Sequence, residues 1–386
     1  MDIKLLFDPI PDLGLQKTAP LSLGASIQIH QDKLPDINNM DLVIIGLTDG
    51  SDQSENSKID QAANQVRKKL YELQKGSSTY RVADLGNLRV GHDLDETKGR
   101  LSELIASMIE KGILPIILGG THDFDYAQYQ AYEMSEKLIS FLNVDAFIDI
   151  NEEKAGSQQS SHIHKILMHE PNYLFNYTHL AHQTYLVPYT AIDVLEKLYF
   201  NTIRLGKLRD NFKEAEPYIR EADLLSFDVC AIQSQYMKAV QNPQVFGLTG
   251  EEACRIAWYA GSSERLSSAG FYGYDPAKDD ENATGAVVLA TMLWYFIEGY
   301  YNRRDKQEFT TKHYIKYVVS MDHTTTENIV FYKSNQSEKW WMEVPMPTSK
   351  SLYNRPHVVP CSYDDYKKAV AGEIPQRWIN NYTKLN

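Results

Sequence analysis

The chain has 386 residues, of which 51 are acidic and 39 are basic, so its formal net charge is −12. This length allows one large domain or two domains of medium size. Hydrophobic residues make up 43% of the chain and charged residues 23%, a composition that excludes a wholly disordered protein. The acidic balance argues against a nucleic-acid partner, because Lys and Arg supply most of the affinity for phosphates.

The cysteines and the apolar segments indicate the cellular compartment of the protein. Cys230, Cys254 and Cys361 are odd in number and widely spaced, which predicts no disulfide framework and is typical of a reducing cytoplasm. The first residues, MDIKLLFDPIPDL, lack the apolar stretch of a signal peptide. The longest apolar run, residues 286–297, is shorter than the roughly 20 residues that span a bilayer. We therefore expect a soluble, cytoplasmic protein with no membrane partner.

Short apolar segments alternate with amphipathic helical patterns, which is typical of a parallel sheet covered on both faces by helices. The predicted strands are residues 41–46, 113–118, 138–144, 202–205, 222–227 and 266–272. The predicted helices cover residues 62–73, 97–111, 251–260 and 284–304. Thr249 and Glu252 have the spacing of a capping box at the start of the third of these helices. The predicted fold class is therefore α/β, with three α/β/α layers and a mainly parallel sheet.

Two segments lie outside this alternation. Residues 1–38 have no strong period and are predicted to be an N-terminal extension. Residues 309–386 contain two strand-like runs separated by the turn SNQSE, which predicts a β-hairpin in a C-terminal extension. We expect a single large α/β domain at residues 39–308 between these extensions.

Acidic or histidine residues follow three of the predicted strands. His122 lies in GGTHD, Asp145 and Asp149 follow the next strand, and Asp228 follows a later one. Ligands of open α/β sheets bind beyond the carboxyl ends of the strands. A buried carboxylate is costly unless something neutralises it, and a divalent cation does so well. A single Asp at such a position is usually a helix cap, but three strand ends together favour a metal site.

The ordered motifs GGTHD, VDAFID and SFDVC resemble those of the arginase/agmatinase/formimidoylglutamase family, the manganese ureohydrolases. The likeness covers about residues 40–305, and it implies an arginase-like fold, a small-molecule substrate and a homo-oligomer. In this family the corresponding motifs are a His after the Gly-Gly strand, DAHxD and SxDxD, which together bind two manganese ions. The resemblance implies that His122, Asp145, Asp149 and Asp228 bind one of them.

The second metal position departs from the family pattern. The middle His and the last Asp of the family correspond to Phe147 and Cys230 in this chain. A phenyl ring cannot bind a metal, and a thiolate is a soft ligand that favours zinc over manganese. The sequence therefore predicts one retained metal position and one lost position. The family's Glu that pairs with the cationic amidine corresponds to Gly273, with Asp275 as a possible substitute two residues later.

Other residues are assigned to the substrate and to proton transfer through the same resemblance. Asn151 matches a family Asn that lines the substrate pocket. The family also has a His near the substrate in the next loop, so His162 or His164 is predicted to act as the proton shuttle. Five histidines lie between residues 162 and 182, and the alternative for each is an ordinary loop or surface histidine. Their spacing fits no standard zinc motif.

Three weaker candidates complete the set. Cys230 is a nucleophile only if a base lies nearby, and burial at a strand end would raise its pKa. The aromatic residues Phe331, Tyr332, Trp340 and Trp341 would bind a partner or, more simply, pack between two strands. The Gly119-Gly120 pair lacks the spacing and the Lys of a phosphate-binding loop.

Two hypotheses of function follow from these observations. The first is a metal-dependent hydrolase of a linear amidine or guanidine, which resembles formimidoylglutamase and converts formimino-glutamate to glutamate and formamide. The second is a catalytically inactive family member that acts as a binding or regulatory protein. The losses at Phe147, Cys230 and Gly273 motivate the second hypothesis.

Overall fold

The structure is a computed structural model that describes residues 3–13, 19–48, 57–150, 162–305, 308–321, 328–345 and 358–385. Within these ranges, ten strands form the main sheet. They are β1 (Phe7–Asp8), β2 (Gln28–Ile29), β3 (Leu42–Gly46), β4 (Val82–Leu88), β5 (Leu114–Leu118), β6 (Ile139–Val144), β7 (Leu174–His182), β8 (Asn201–Arg204), β9 (Leu224–Asp228) and β10 (Ser268–Tyr272).

The main sheet is mixed but mainly parallel. Its strand order is β1-β4-β3-β5-β10-β9-β6-β7-β8, and β2 pairs with β4 outside this path. All of these pairs are parallel except β1 with β4. The order places β10 and β9 between β5 and β6, so the three strands that precede the predicted metal ligands lie close together in the sheet.

The described helices of the α/β region connect these strands. They are α1 (Ala62–Leu70), α2 (Leu94–Glu110), α3 (Asp125–Gln130), α4 (His162–Leu167), α5 (Tyr189–Lys197), α6 (Leu205–Asp210), α7 (Ala215–Glu221), α8 (Gly250–Gly261) and α9 (Thr284–Tyr301). Because side chains of a strand alternate between faces, Ile44 packs in one core with α1, α8 and α9, whereas Ile45 packs in a second core with α2. The predicted three-layer α/β/α fold is confirmed.

Local signals set the helix ends. At the start of α8, Thr249 Oγ1 accepts the Glu252 N–H and the Glu252 carboxylate accepts the Thr249 N–H, so the predicted capping box is present. Helix α2 begins three residues earlier than predicted, because Asp93 caps it by accepting the Glu96 N–H. No helix in the described part of the chain is long and apolar enough to cross a membrane.

A second, antiparallel sheet follows the α/β region. It contains β11 (Tyr314–Ser320), β12 (Asn328–Ser334), β13 (Trp340–Glu343) and β14 (Val358–Cys361), and it is followed by α10 (Tyr363–Val370) and α11 (Gln376–Leu385). Strands β12 and β13 pair Tyr332 with Trp341. Trp340 and Trp341 are both buried, and the Arg220 guanidinium of α7 lies over the Trp341 ring. These aromatic side chains therefore pack inside the protein.

Candidate metal centre

The predicted metal ligands meet at the carboxyl edge of the main sheet. His122 follows β5, Asp145 directly follows β6, and Asp228 is the last residue of β9. The His122 Nδ1 atom lies 3.3 Å from Asp145 Oδ2 and 3.3 Å from Asp228 Oδ2. Asp149 belongs to a group in which His122, Asp145, Asp149 and His162 each offer a ligand atom within 4.8 Å of the others. The structure thus brings Asp145, Asp149 and Asp228 each close to His122.

The spacing of these atoms fits a cation. Nitrogen and oxygen ligands lie about 2 Å from a first-row divalent ion, so two ligands of one ion are about 3 Å apart. His122 Nδ1 is buried and has no hydrogen-bond partner of good geometry in the described chain, although two carboxylate oxygens lie beside it. A buried nitrogen that is left unsatisfied among carboxylates is a site where a cation supplies the missing interaction. The residues present therefore fit a divalent metal ion.

The electrostatics of the cluster agree with this geometry. Burial by itself lowers the pKa of His122, but the carboxylates of Asp145 and Asp228 outweigh it and hold the pKa well above its ordinary value. Burial and the neighbouring Asp228 raise the pKa of Asp145. The cluster therefore attracts positive charge, and a cation held there would take the place of the His122 Nδ1 proton.

The other face of Asp145 is closed by hydrogen bonds. The Cys230 thiol donates to Asp145 Oδ1 at 3.0 Å, and the Phe147 N–H donates to the same oxygen at 3.0 Å. Burial and the nearby carboxylates of Asp145 and Asp228 raise the pKa of Cys230 well above its ordinary value. A thiol held in its neutral form is a poor nucleophile, so the raised pKa does not support Cys230 in that role. Cys230 does offer a ligand atom within 4.8 Å of those of Asp145 and Asp228, and its role as a soft metal ligand stays a prediction.

Gly273 follows β10 directly beside the cluster. Its φ of +87° is in the left-handed region that favours glycine, and a Cβ at this position would lie 2.7 Å from Asp228 Oδ1. A Glu at this position would require Asp228 to move. The present position of Asp228 therefore depends on the absence of a side chain at Gly273.

Asp275 is buried and held by the backbone around it. Its Oδ1 accepts the N–H groups of Lys58 and Ala277, and its Oδ2 accepts the Ser57 hydroxyl. These bonds occupy both oxygens and tie the segment before α1 to the end of β10. The substrate-binding role predicted for Asp275 stays a prediction, and its contacts are those of a structural residue.

The two predicted proton shuttles lie in different places on α4. His162 is fully buried, with its ring centroid 4.4 Å from that of His122 and its Nε2 atom 3.5 Å from Asp149 Oδ2. His164 lines a separate cavity of about 610 Å³, together with apolar residues of α4 and α5 such as Leu167 and Val194. The structure therefore brings His162, and not His164, to the metal cluster. Asn151 lies outside the described residues.

Two further residues lie beside the cluster, and one of them, Asp125, was missed from the sequence. Asp125 is fully buried and accepts a hydrogen bond from His162 Nδ1 at 2.8 Å. His179 of β7 is also fully buried, and its Nε2 lies 3.2 Å from the Asp145 carbonyl oxygen. The spacing of Asp125, three residues after His122, was the available signal for the first. His179 is one of the five predicted candidates, and its burial in β7 contradicts the alternative that it is a loop or surface histidine.

A mainly parallel sheet whose strand ends bring one histidine and three aspartates together defines this protein as an α/β protein with a candidate metal centre. Within that class, the model of the arginase family matches residues 40–298, and the chain belongs to the arginase family.

Individual relatives are more distant. A formimidoylglutamase from Staphylococcus aureus is 26% identical over 226 residues, which cover 56% of this chain and 72% of that protein. The structure of formimidoylglutamase from Bacillus subtilis matches with a TM-score of 0.67 at 14% identity, covering 76% of this chain and 97% of that one. Formiminoglutamase from Trypanosoma cruzi with Mn2+ matches with a TM-score of 0.59 at 18% identity, covering 70% and 100%. The structural matches show that the arginase fold is shared.

Proposed function

We propose that this protein is a metal-dependent hydrolase of a C–N bond in a linear amidine or guanidine, with a single metal position formed by His122, Asp145, Asp149 and Asp228. The observation that carries the proposal is the convergence of two carboxylates on the unpartnered His122 Nδ1, at 3.3 Å each. Membership of the arginase family supplies the class of reaction. Formimino-glutamate is the first substrate to test, because the curated relatives are formimidoylglutamases.

Manganese is the metal we propose. One imidazole and three carboxylates form a hard ligand set that suits manganese, and the related structure from T. cruzi is one with Mn2+. When bound, the ion supplies Lewis acidity that activates water and polarises the amidine. The chain's own contribution is to hold Asp145 and Asp228 in place through the Phe147 and Cys230 N–H groups, which donate to their Oδ1 atoms.

His162 is the residue we propose for protonation of the leaving nitrogen. Its Nε2 has no hydrogen-bond partner in the described chain, is fully buried, and faces Asp149 at 3.5 Å. An imidazole fixed beside the reacting atoms can transfer a proton without the cost of ordering it first. We further propose that the enzyme is a cytoplasmic homo-oligomer. The three cysteines, which are buried and unpaired, are consistent with a reducing compartment.

The test is manganese loading followed by an assay with formimino-glutamate. We expect about one tightly held equivalent of manganese per chain after removal of the excess, and release of glutamate and formamide. Asp145→Asn is the matched inactive variant, because Asp145 faces both His122 and Cys230. A loaded wild-type protein that turns over neither formimino-glutamate nor any other linear amidine or guanidine would contradict the proposal.

A second candidate function is that of a catalytically inactive family member that binds a small molecule or a regulatory partner. The observation that favours it is the closed face of Asp145, where Cys230 and Phe147 occupy the oxygen that a second ion would need. Turnover by the wild type excludes this candidate. Binding of an amidine without turnover, measured by calorimetry on the manganese-loaded protein, would support it.

A further inference from the structure

One buried carboxylate connects the two histidines of the centre. Asp125 is the first residue of α3 and is fully buried. Its Oδ2 atom lies 2.8 Å from His162 Nδ1 and 3.2 Å from Ser226 Oγ. Ser226 Oγ in turn lies 2.8 Å from His122 Nε2. A single oxygen therefore reaches one imidazole directly and the other through a hydroxyl.

These contacts dictate which nitrogen of each ring is free. An ionised carboxylate only accepts hydrogen bonds, so His162 donates from Nδ1, and Nε2 is the nitrogen left to take up a proton and pass it to the leaving group. Ser226 has one hydroxyl hydrogen, which it donates to Asp125, and its oxygen therefore accepts the His122 Nε2–H. The lone pair of His122 is thus left on Nδ1. Both free nitrogens, His122 Nδ1 and His162 Nε2, are the buried atoms without partners that face the cluster.

Asp125 differs from a neighbouring buried aspartate in the charged groups that it contacts. Asp123, two residues earlier, is also buried, but it is paired with the Lys98 ammonium and accepts the Thr121 hydroxyl. In the described part of the chain, the only ion-pair contacts of Asp125 are with His122 and His162. A buried carboxylate without a Lys or Arg partner is costly to keep. Its contacts with two imidazoles offset this cost.

We infer that Asp125 is a positioning residue that fixes the tautomers of His122 and His162 together, so that one nitrogen faces the metal and the other faces the reacting atoms. The inference rests on the proposed function, because it concerns the same centre. Carboxylates that hold metal-binding histidines in this way typically contribute 10–100-fold to metal affinity. Asp125 additionally couples the ligand to the proposed proton donor, because both depend on one oxygen.

The experiment compares manganese affinity, measured from the EPR signal of free Mn2+, in the full-length wild type and three variants. We expect Asp125→Asn to bind Mn2+ about 10–100-fold more weakly. Ser226→Ala, which removes only the connection to His122, should also weaken binding, and it serves as the second test if Asp125→Asn does not fold. Asp123→Asn is the matched control: it should lower the unfolding temperature, because it leaves Lys98 unpaired, but change Mn2+ affinity less than about twofold.

The outcomes separate this inference from the proposed function. Affinity of folded Asp125→Asn within about twofold of the wild type overturns the positioning role, whatever the activity. A wild type that binds Mn2+ but hydrolyses no amidine overturns the hydrolase proposal and leaves the affinity comparison valid. A wild type that binds no Mn2+ overturns both. If Asp123→Asn weakens binding as much as Asp125→Asn, the effect is structural and the inference fails.

Discussion

Asp145 has two faces, and they differ in how many hydrogen bonds they receive. On one face, which we call the open face, Oδ2 lies 3.3 Å from His122 Nδ1. That nitrogen is buried and has no hydrogen-bond partner in the described chain. On the other face, Oδ1 receives the Cys230 thiol and the Phe147 N–H. The first arrangement suits a cation because it leaves negative charge unsatisfied. In the second, the two hydrogen bonds to the oxygen would compete with a second ion.

We propose that the second metal position is closed by hydrogen bonds as well as deprived of its family ligands. Replacing the family's His by Phe147 only removes a ligand. Replacing its Asp by Cys230 also adds a donor, which holds Asp145 Oδ1 at 3.0 Å. The cluster then has three carboxylates around one proposed dication, and Gly273 leaves the space into which Asp228 fits. The losses are consistent with one another, as expected if the centre works with a single ion.

The largest expected effect is on Mn2+ affinity, and it comes from removing a carboxylate beside His122 Nδ1. Asp228→Asn removes a charged ligand 3.3 Å from His122 Nδ1, so Mn2+ affinity should fall by more than about 100-fold, beyond the loss typical of outer-shell residues. Metal analysis after loading and desalting should then find almost no manganese. Asp193→Asn is the control, since this carboxylate lies on α5 and pairs with Lys197 away from the cluster. Full retention of manganese by Asp228→Asn would show that the open face is not the metal position.

The next effect concerns catalysis without loss of metal. His162→Asn should lower kcat by about 100-fold or more, the usual contribution of a positioned acid or base, while manganese content stays near the wild-type value. His92→Asn, a change on an exposed loop, is the control. Loss of manganese together with activity would instead make His162 a metal ligand. A larger loss of kcat in His164→Asn would transfer the proton-donor role to that residue.

Two central strands of the main sheet were the most predictable part of the fold, because β3 and β5 are continuous apolar runs. Strands β3 and β5 are buried at every position, so their sequences are simple to recognise. Strand β4 was missed because Asp84 and Gly86 interrupt its apolar pattern. The structure explains the Asp, since its carboxylate pairs with the buried Arg67 guanidinium at 2.8 Å. A pairing between α1 and β4 is a tertiary contact that no local pattern reveals.

Strand β7 was missed for the same reason. It buries polar side chains, among them Asn176, His179 and His182, which read as a loop from the sequence alone. The metal cluster was the easier part, because motif spacing fixes which residues follow which strand end. The role of Asp125 was not predictable, since its importance lies in hydrogen bonds to residues 37 and 101 positions away.

The third prediction rebuilds the closed face. The double variant Phe147→His/Cys230→Asp supplies an imidazole and a carboxylate and removes the thiol donor from Asp145. We expect its manganese content to rise from about one to about two equivalents, with roughly a tenfold gain in kcat from the stronger Lewis acidity. Each single variant is a control that restores one ligand only and should stay near one equivalent. A folded double variant that still holds one equivalent would mean that more than these two residues closes the position.

The smallest expected effect is on the pH dependence of stability, and it concerns His182, the last residue of β7. This side chain is buried and its Nδ1 has no partner in the described chain. Burial first, and then the Arg204 charge, lower the pKa of His182 to about 4, and the buried His179 ring lies 5.7 Å away. Because the unfolded chain binds this proton near its ordinary pKa, stability contributed by the neutral ring is complete above about pH 6.5 and is lost as pH falls toward 4.

The magnitude follows from the same linkage. At pH 5 the expected loss relative to pH 7.5 is about 1–2 kcal/mol of the free energy of unfolding. Urea unfolding of the metal-free wild type and of His182→Gln at both pH values measures it, and the variant should lose less stability on acidification by that amount. His179 and the metal cluster also titrate, but they do so in both proteins, so their contributions largely cancel in the difference. Equal losses in the two proteins would show that His182 is not kept neutral by its surroundings.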